Sequence, residues 1–95
     1  MYIGGEKLKS TKEIAKRYSN IKQNRFPKEK DREFIRKFDR VLNKLNEKDK
    51  EFFLKSFLLK DIDDWWKNYY SKSTYYRMRN NVSEKFLIFW QAHEH

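Results

Sequence analysis

Lys72, Ser73, Thr74, Tyr76, Arg77 and Asn80 crowd one short stretch of the chain. They offer an ammonium, a guanidinium, hydroxyls, a phenol and an amide. Such groups hydrogen-bond to base edges and phosphates; they are not a bond-breaking set. Arginine can grip guanine through O6 and N7, and one good bidentate pair gives about 1–3 kcal/mol of discrimination. Behind them, Tyr75, Met78, Val82, Phe86 and Phe89 recur at steps of three and four residues, so they share one face of a helix. Arg79 sits at the boundary between the faces. Ser71 suits an N-cap, and its hydroxyl and that of Thr74 can also meet a phosphate. The spacing predicts a helix with an apolar back and a cationic front, a form that enters the DNA major groove. The same pattern also describes an ordinary amphipathic helix whose polar side faces water.

Other reactive constellations are poorer. His93-Glu94-His95 ends the chain, where a frayed tail explains it better than a metal site. Asp61, Asp63 and Asp64 resemble a magnesium cluster, but negative charge in the first turn of a helix accounts for them more simply. No Walker loop, G-x-G-x-x-G or Ser/His/Asp set is present, and the absence of cysteine removes thiolate chemistry and disulfides. The expectation is a non-enzyme with no cofactor, no metal and no catalytic residue. Trp65, Trp66, Tyr69, Tyr70, Tyr75 and Tyr76 can stack on single-stranded nucleic acid, although aromatics at helical spacing more often fill a core. Adjacent rings cannot all point inward, so Tyr75 is expected inside, Tyr76 outside and one tryptophan partly exposed.

The charge balance points to a polyanionic partner. The chain of 95 residues carries a formal net charge of +9. Residues 1–45 hold 14 Lys/Arg against 6 Asp/Glu, residues 46–70 hold 5 against 6, and residues 71–95 hold 4 against 2. DNA ranks first, RNA second and an anionic membrane surface third. No apolar run approaches the roughly 20 residues of a membrane span, and the start lacks the layout of a signal peptide, so the expected location is the cytoplasm. Charged residues at 39% would suggest disorder, but aromatics at 18% argue for a folded domain with a very polar surface.

Periodicity then supplies the elements that must hold the cationic front. Residues 1–9 read as a loose arm and residues 10–95 as one helical domain. Ser10-Thr11-Lys12-Glu13 has the form of a capping box, predicting a helix of about 12 residues with Ile14, Tyr18 and Ile21 on one face. It should stop before Pro27. A second helix starts between Lys28 and Asp31 and carries Phe34, Ile35, Phe38, Val41, Leu42 and Leu45. Asn46 caps a third over Glu47–Leu59, and a short fourth follows over Asp61–Tyr69. No strand or hairpin pattern competes. The expected fold class is all-α, four to five helices with a helix-turn-helix core at about 47–90.

The blocks Phe34-Ile35, Phe38-Asp39-Arg40-Val41-Leu42, Glu47-Lys48-Asp49 with Phe52-Phe53, Trp65-Trp66 and above all Tyr70-Ser71-Lys72-Ser73-Thr74-Tyr75-Tyr76-Arg77 followed by Glu84-Lys85-Phe86 carry a resemblance. The stretch from Phe34 to Trp90 resembles the ArpU family of phage-type transcriptional regulators, which in turn look like region four of sigma factors. That resemblance implies a DNA-binding helix-turn-helix that regulates transcription, with double-stranded DNA as partner and RNA polymerase as a second one. The family often has a glycine in the turn, where this chain has Tyr69. Base contacts are then expected from Lys72, Ser73, Thr74, Tyr76, Arg77, Arg79 and Asn80. A phosphate contact is expected from Ser71, and, outside the resemblance, from Lys16 and Arg17 on the basic excess of residues 1–33. Weak binding by a single helix-turn-helix makes a homodimer a natural expectation. Two alternatives stay open: a helical protein-interaction module using residues 61–70, and a small RNA-binding protein.

Overall fold

Three long amphipathic segments have to bury one apolar face each, and in the computed structural model they do so against one another. The structure describes residues 4–59 and 64–92. It is all-α, with four α-helices and, among the described residues, no strand: α1 (Gly4–Lys22), α2 (Glu29–Lys44), α3 (Glu47–Phe53) and α4 (Lys72–Ala92). Five further residues, Leu54–Leu58, prolong α3 as a π-helical turn.

The local signals that start α2 and α3 act as their residue types dictate. The Lys28 N–H donates to the Asp31 carboxylate at 3.1 Å, and α1 ends before Pro27, which disfavours helical angles in the residue ahead of it. The Asn46 side chain accepts from the Asp49 N–H at 2.8 Å, so it caps α3 as expected. Two elements differ from expectation. Helix α1 begins at Gly4, so residues 4–9 belong to a helix instead of an arm, and Ser10 lies in its middle. An S-x-x-E spacing also occurs one turn apart inside any helix. Here Thr11 is fully buried, and its hydroxyl donates back to the Lys7 carbonyl at 2.9 Å. Residues 1–3 lie outside the described residues.

The short helix expected over Asp61–Tyr69 is the second difference. Residues 61–63 lie outside the described residues, and residues 64–69 form successive turns. The Lys67 N–H reaches the Asp64 carbonyl, and the N–H groups of Tyr69 and Tyr70 share the Trp66 carbonyl. Asp64 has a φ of 59°, a left-handed geometry that aspartate tolerates better than most residues but that a regular helix cannot contain.

Phenylalanine rings make the centre. Phe38 of α2, Phe53 of α3 and Phe86 of α4 have no measurable exposure. Phe53 stacks on Phe86 at 4.6 Å, Phe38 lies 5.3 Å from Phe86, and Tyr18 of α1 stacks on Phe38 at 4.0 Å. Full burial of one such ring contributes roughly 1.5–3 kcal/mol, and offset ring pairs add about 0.5–1.5 kcal/mol. Ala15, Val41, Leu42, Leu45, Phe52, Phe57, Tyr75, Val82, Leu87 and Trp90 join them in the core. The buried face of α4 is therefore wider than its strictest periodicity: Ser83, Leu87 and Trp90 join it, while Met78 and Phe89 stay half-buried and Ile88 is exposed.

Candidate nucleic-acid interface

The first turns of α4 are built around Ser71. Its hydroxyl accepts from the Thr74 N–H at 3.3 Å and donates to the Thr74 hydroxyl at 2.9 Å. A serine that caps in this way leaves the first free N–H groups of the helix partly satisfied and its positive end toward solvent. One residue on, Tyr75 turns into the protein and is buried. Its phenol donates to the Ser56 hydroxyl of the π turn at 3.3 Å, and its ring stacks on Trp66 at 4.6 Å. Tyr75 is thus the peg that fixes the start of α4 to both preceding segments.

With that peg inside, the opposite side must face out. Lys72, Ser73, Tyr76 and Arg77 are exposed, and Thr74 is half-buried. The Arg77 guanidinium reaches the Thr74 hydroxyl at 3.5 Å, a long contact that leaves most of its donors free for another acceptor. Lys72 Nζ lies 5.9 Å from the Tyr76 ring centroid, and the Arg79 guanidinium lies 4.8 Å from it on the same ring. Two cations around one half-exposed phenol ring make a flat, positively charged surface.

Asn80 departs from its expected place on the open front, while Arg79 sits at the boundary between the faces, as expected. Both are half-buried; the Arg79 Nε and the Asn80 Oδ1 are covered, without partners among the described residues. Arg79 works as a brace against Tyr75 and Tyr76. The two α1 residues expected at phosphates separate as well. Arg17 turns to the α2 side, with its guanidinium 4.4 Å above the Phe34 ring. Lys16 turns to the other side. With Lys12, Ser56 and Phe57 it lines a cleft of about 290 Å³. Ser56 is the residue bonded to Tyr75, so this cleft adjoins the start of α4.

Sequence reading missed Lys12, although its spacing of four from Lys16 puts both on one helical face. It also missed Lys67, exposed on the turns that lead into α4. Asp61, Asp63, His93 and His95 lie outside the described residues. Among the described residues no group of three or more metal-ligating side chains gathers, and no helix is long and apolar enough to cross a membrane. Models of known protein families, curated protein sequences and solved structures gave no match to this chain.

Proposed function

We propose that the protein binds double-stranded DNA and regulates transcription, placing the first turns of α4 in the major groove. The observation that carries the reading is the division of α4. Tyr75, Val82 and Phe86 are buried behind, while Lys72, Ser73, Tyr76 and Arg77 are exposed on the opposite side of its opening turns. Helices that read DNA contact base edges from their N-terminal residues in this manner. Arg77 is the base-reading residue, Lys72 and Ser71 meet phosphates, and Tyr76 packs its ring against the sugar–phosphate edge. Lys12 and Lys16 extend the contact to a neighbouring phosphate. In this reading the turns at residues 64–70 stand in for the short helix of a regular helix-turn-helix. The net charge of +9 supplies the long-range attraction.

The reading is tested by selecting bound fragments from random duplex DNA with the wild type and with Arg77→Ala. Loss of Arg77 relaxes the selected sequence and costs about 1–3 kcal/mol on the wild-type site. Removing Lys12 and Lys16 together weakens all duplexes alike and lowers the salt slope by roughly 2. Unchanged affinity and preference in Arg77→Ala ends the proposal. A protein that binds no duplex at low salt but captures RNA polymerase through residues 61–70 fits the interaction-module reading instead.

A further inference from the structure

A second cleft, lined in part by Tyr70, has walls of a different kind. It measures about 210 Å³ and lies between α3 and the turns at 64–70. That is smaller than the ~300–1,000 Å³ typical of sites that enclose a drug-sized molecule, so its natural occupant is a single ring system. Trp65 and Tyr70 form a corner, with ring planes at 89° and centroids 6.2 Å apart. Phe52 closes the base, 5.3 Å from Trp65. Tyr69 stands at the mouth and is 73% exposed. The Trp65 indole N–H is buried and has no acceptor among the described residues, an unmet donor within one wall.

The rim charges decide which kind of ring fits. Lys48 and Lys55 face a single carboxylate, Glu51. Lys55 donates to Glu51 at 2.8 Å, which holds that carboxyl below its usual range and raises the lysine. Its ammonium also lies 5.3 Å from the Trp65 centroid. The carboxylate and one aromatic face are thus already served by the protein's own cation. A cationic guest such as a methylated amine would meet net positive charge and an occupied ring. Lys48 has no ion-pair partner among the described residues and is exposed. The cleft suits a flat ring carrying an anion.

We propose that this cleft takes one unpaired nucleobase, stacked in the Trp65–Tyr70 corner under Tyr69, with its phosphate on Lys48. Bases stack on aromatic side chains whatever their identity, and lysines track the attached backbone. The position favours a strand over other phosphorylated rings. Tyr70 adjoins Ser71, and Trp65 lies 6.0 Å from Tyr75, so a base leaving a helix docked on α4 is delivered to this corner. That last step rests on the duplex reading; the pocket chemistry does not.

Fluorescence anisotropy on the whole protein tests it with four probes: a short oligo-dA strand, a perfect duplex, the same duplex with one extrahelical adenine, and a phosphotyrosine peptide. Tyr69→Ala and Lys48→Ala alter exposed side chains, and far-UV circular dichroism checks that the helices remain. Each is expected to weaken the strand and the bulged duplex at least about fivefold while leaving the perfect duplex unchanged. Tyr69→Phe keeps the ring and retains affinity. Arg77→Ala weakens both duplexes and leaves the strand unchanged, so failure of the duplex reading and failure of the pocket give different results. Competition by deoxyadenosine monophosphate assigns the pocket to free nucleotide, and its failure to compete assigns it to a strand; both support the shared chemistry. Wild-type strand affinity in Tyr69→Ala overturns the proposal, as does equal loss on the perfect duplex. Binding of the phosphotyrosine peptide with no strand affinity overturns it too.

Discussion

The rings around Phe38 and the rings around Tyr75 belong to one chain yet meet water differently. Phe38, Phe53 and Phe86 carry no polar atom, have no exposure and touch one another at 4.6–5.9 Å. Trp65, Trp66, Tyr69, Tyr70, Tyr75 and Tyr76 form a second layer. Only Tyr75 in it is buried, and Lys55, Lys72 and Arg79 sit over its faces. Ring pairs are geometrically similar in both. The difference lies in the hydroxyl and indole groups, which need partners, and in the cations that settle on rings left half open. Aromatic content in a short basic chain thus divides into rings that hold and rings that present.

The largest effect expected is Phe53→Ala. Truncating a fully buried phenylalanine costs about 3–5 kcal/mol, a large share of the roughly 5–15 kcal/mol that stabilises a domain. Urea unfolding followed by circular dichroism measures it, and a loss below about 1 kcal/mol would break the comparison. A smaller effect concerns Tyr18, the ring joining α1 to the phenylalanine layer. Its phenol donates to Asp39 Oδ1 at 2.9 Å. Burial first, and then that carboxylate, push its ionisation from 10.0 up to about 12. The protonated form is the one the fold favours. Its stabilisation is complete below pH 10 and fades as pH rises towards 12. Tyr18→Phe should remove that slope from the pH dependence of the urea midpoint. The smallest effect on stability belongs to Tyr76→Ala in the presenting layer. It should change stability by less than about 0.5 kcal/mol while weakening duplex binding in the same preparation.

Where one periodicity ruled, the sequence was easy to read. Phe38, Val41, Leu42 and Leu45 gave α2, Asn46 gave the start of α3, and Tyr75 inside with Tyr76 outside came from their adjacency. The start of α1 was hidden because Ser10 and Glu13 satisfy a capping pattern that is equally common within a helix. The turns at 64–69 were read as helix because acidic residues followed by aromatics look like a first helical turn. The left-handed Asp64 breaks that helix without a glycine to announce it. The candidate site was half legible. Lys72, Ser73 and Arg77 are open and Arg79 is half-buried at the boundary, but the half-burial of Asn80 and the opposite directions of Lys16 and Arg17 depend on tertiary packing that spacing alone does not encode.

The π turn at Leu54–Leu58 has a consequence for how this chain tolerates changes of length. It places one residue more in its turn than an α-helix does, and each helical residue rotates the chain beyond it by about 100°. Shortening the segment by one residue would therefore wind it back into ordinary helix and swing Ser56 away from the Tyr75 phenol. The peg would lose its socket even though no core ring had changed. Insertions and deletions here act as a dial on the aim of α4, whereas exchanges of the half-buried side chains at Leu54 or Lys55 leave that aim untouched.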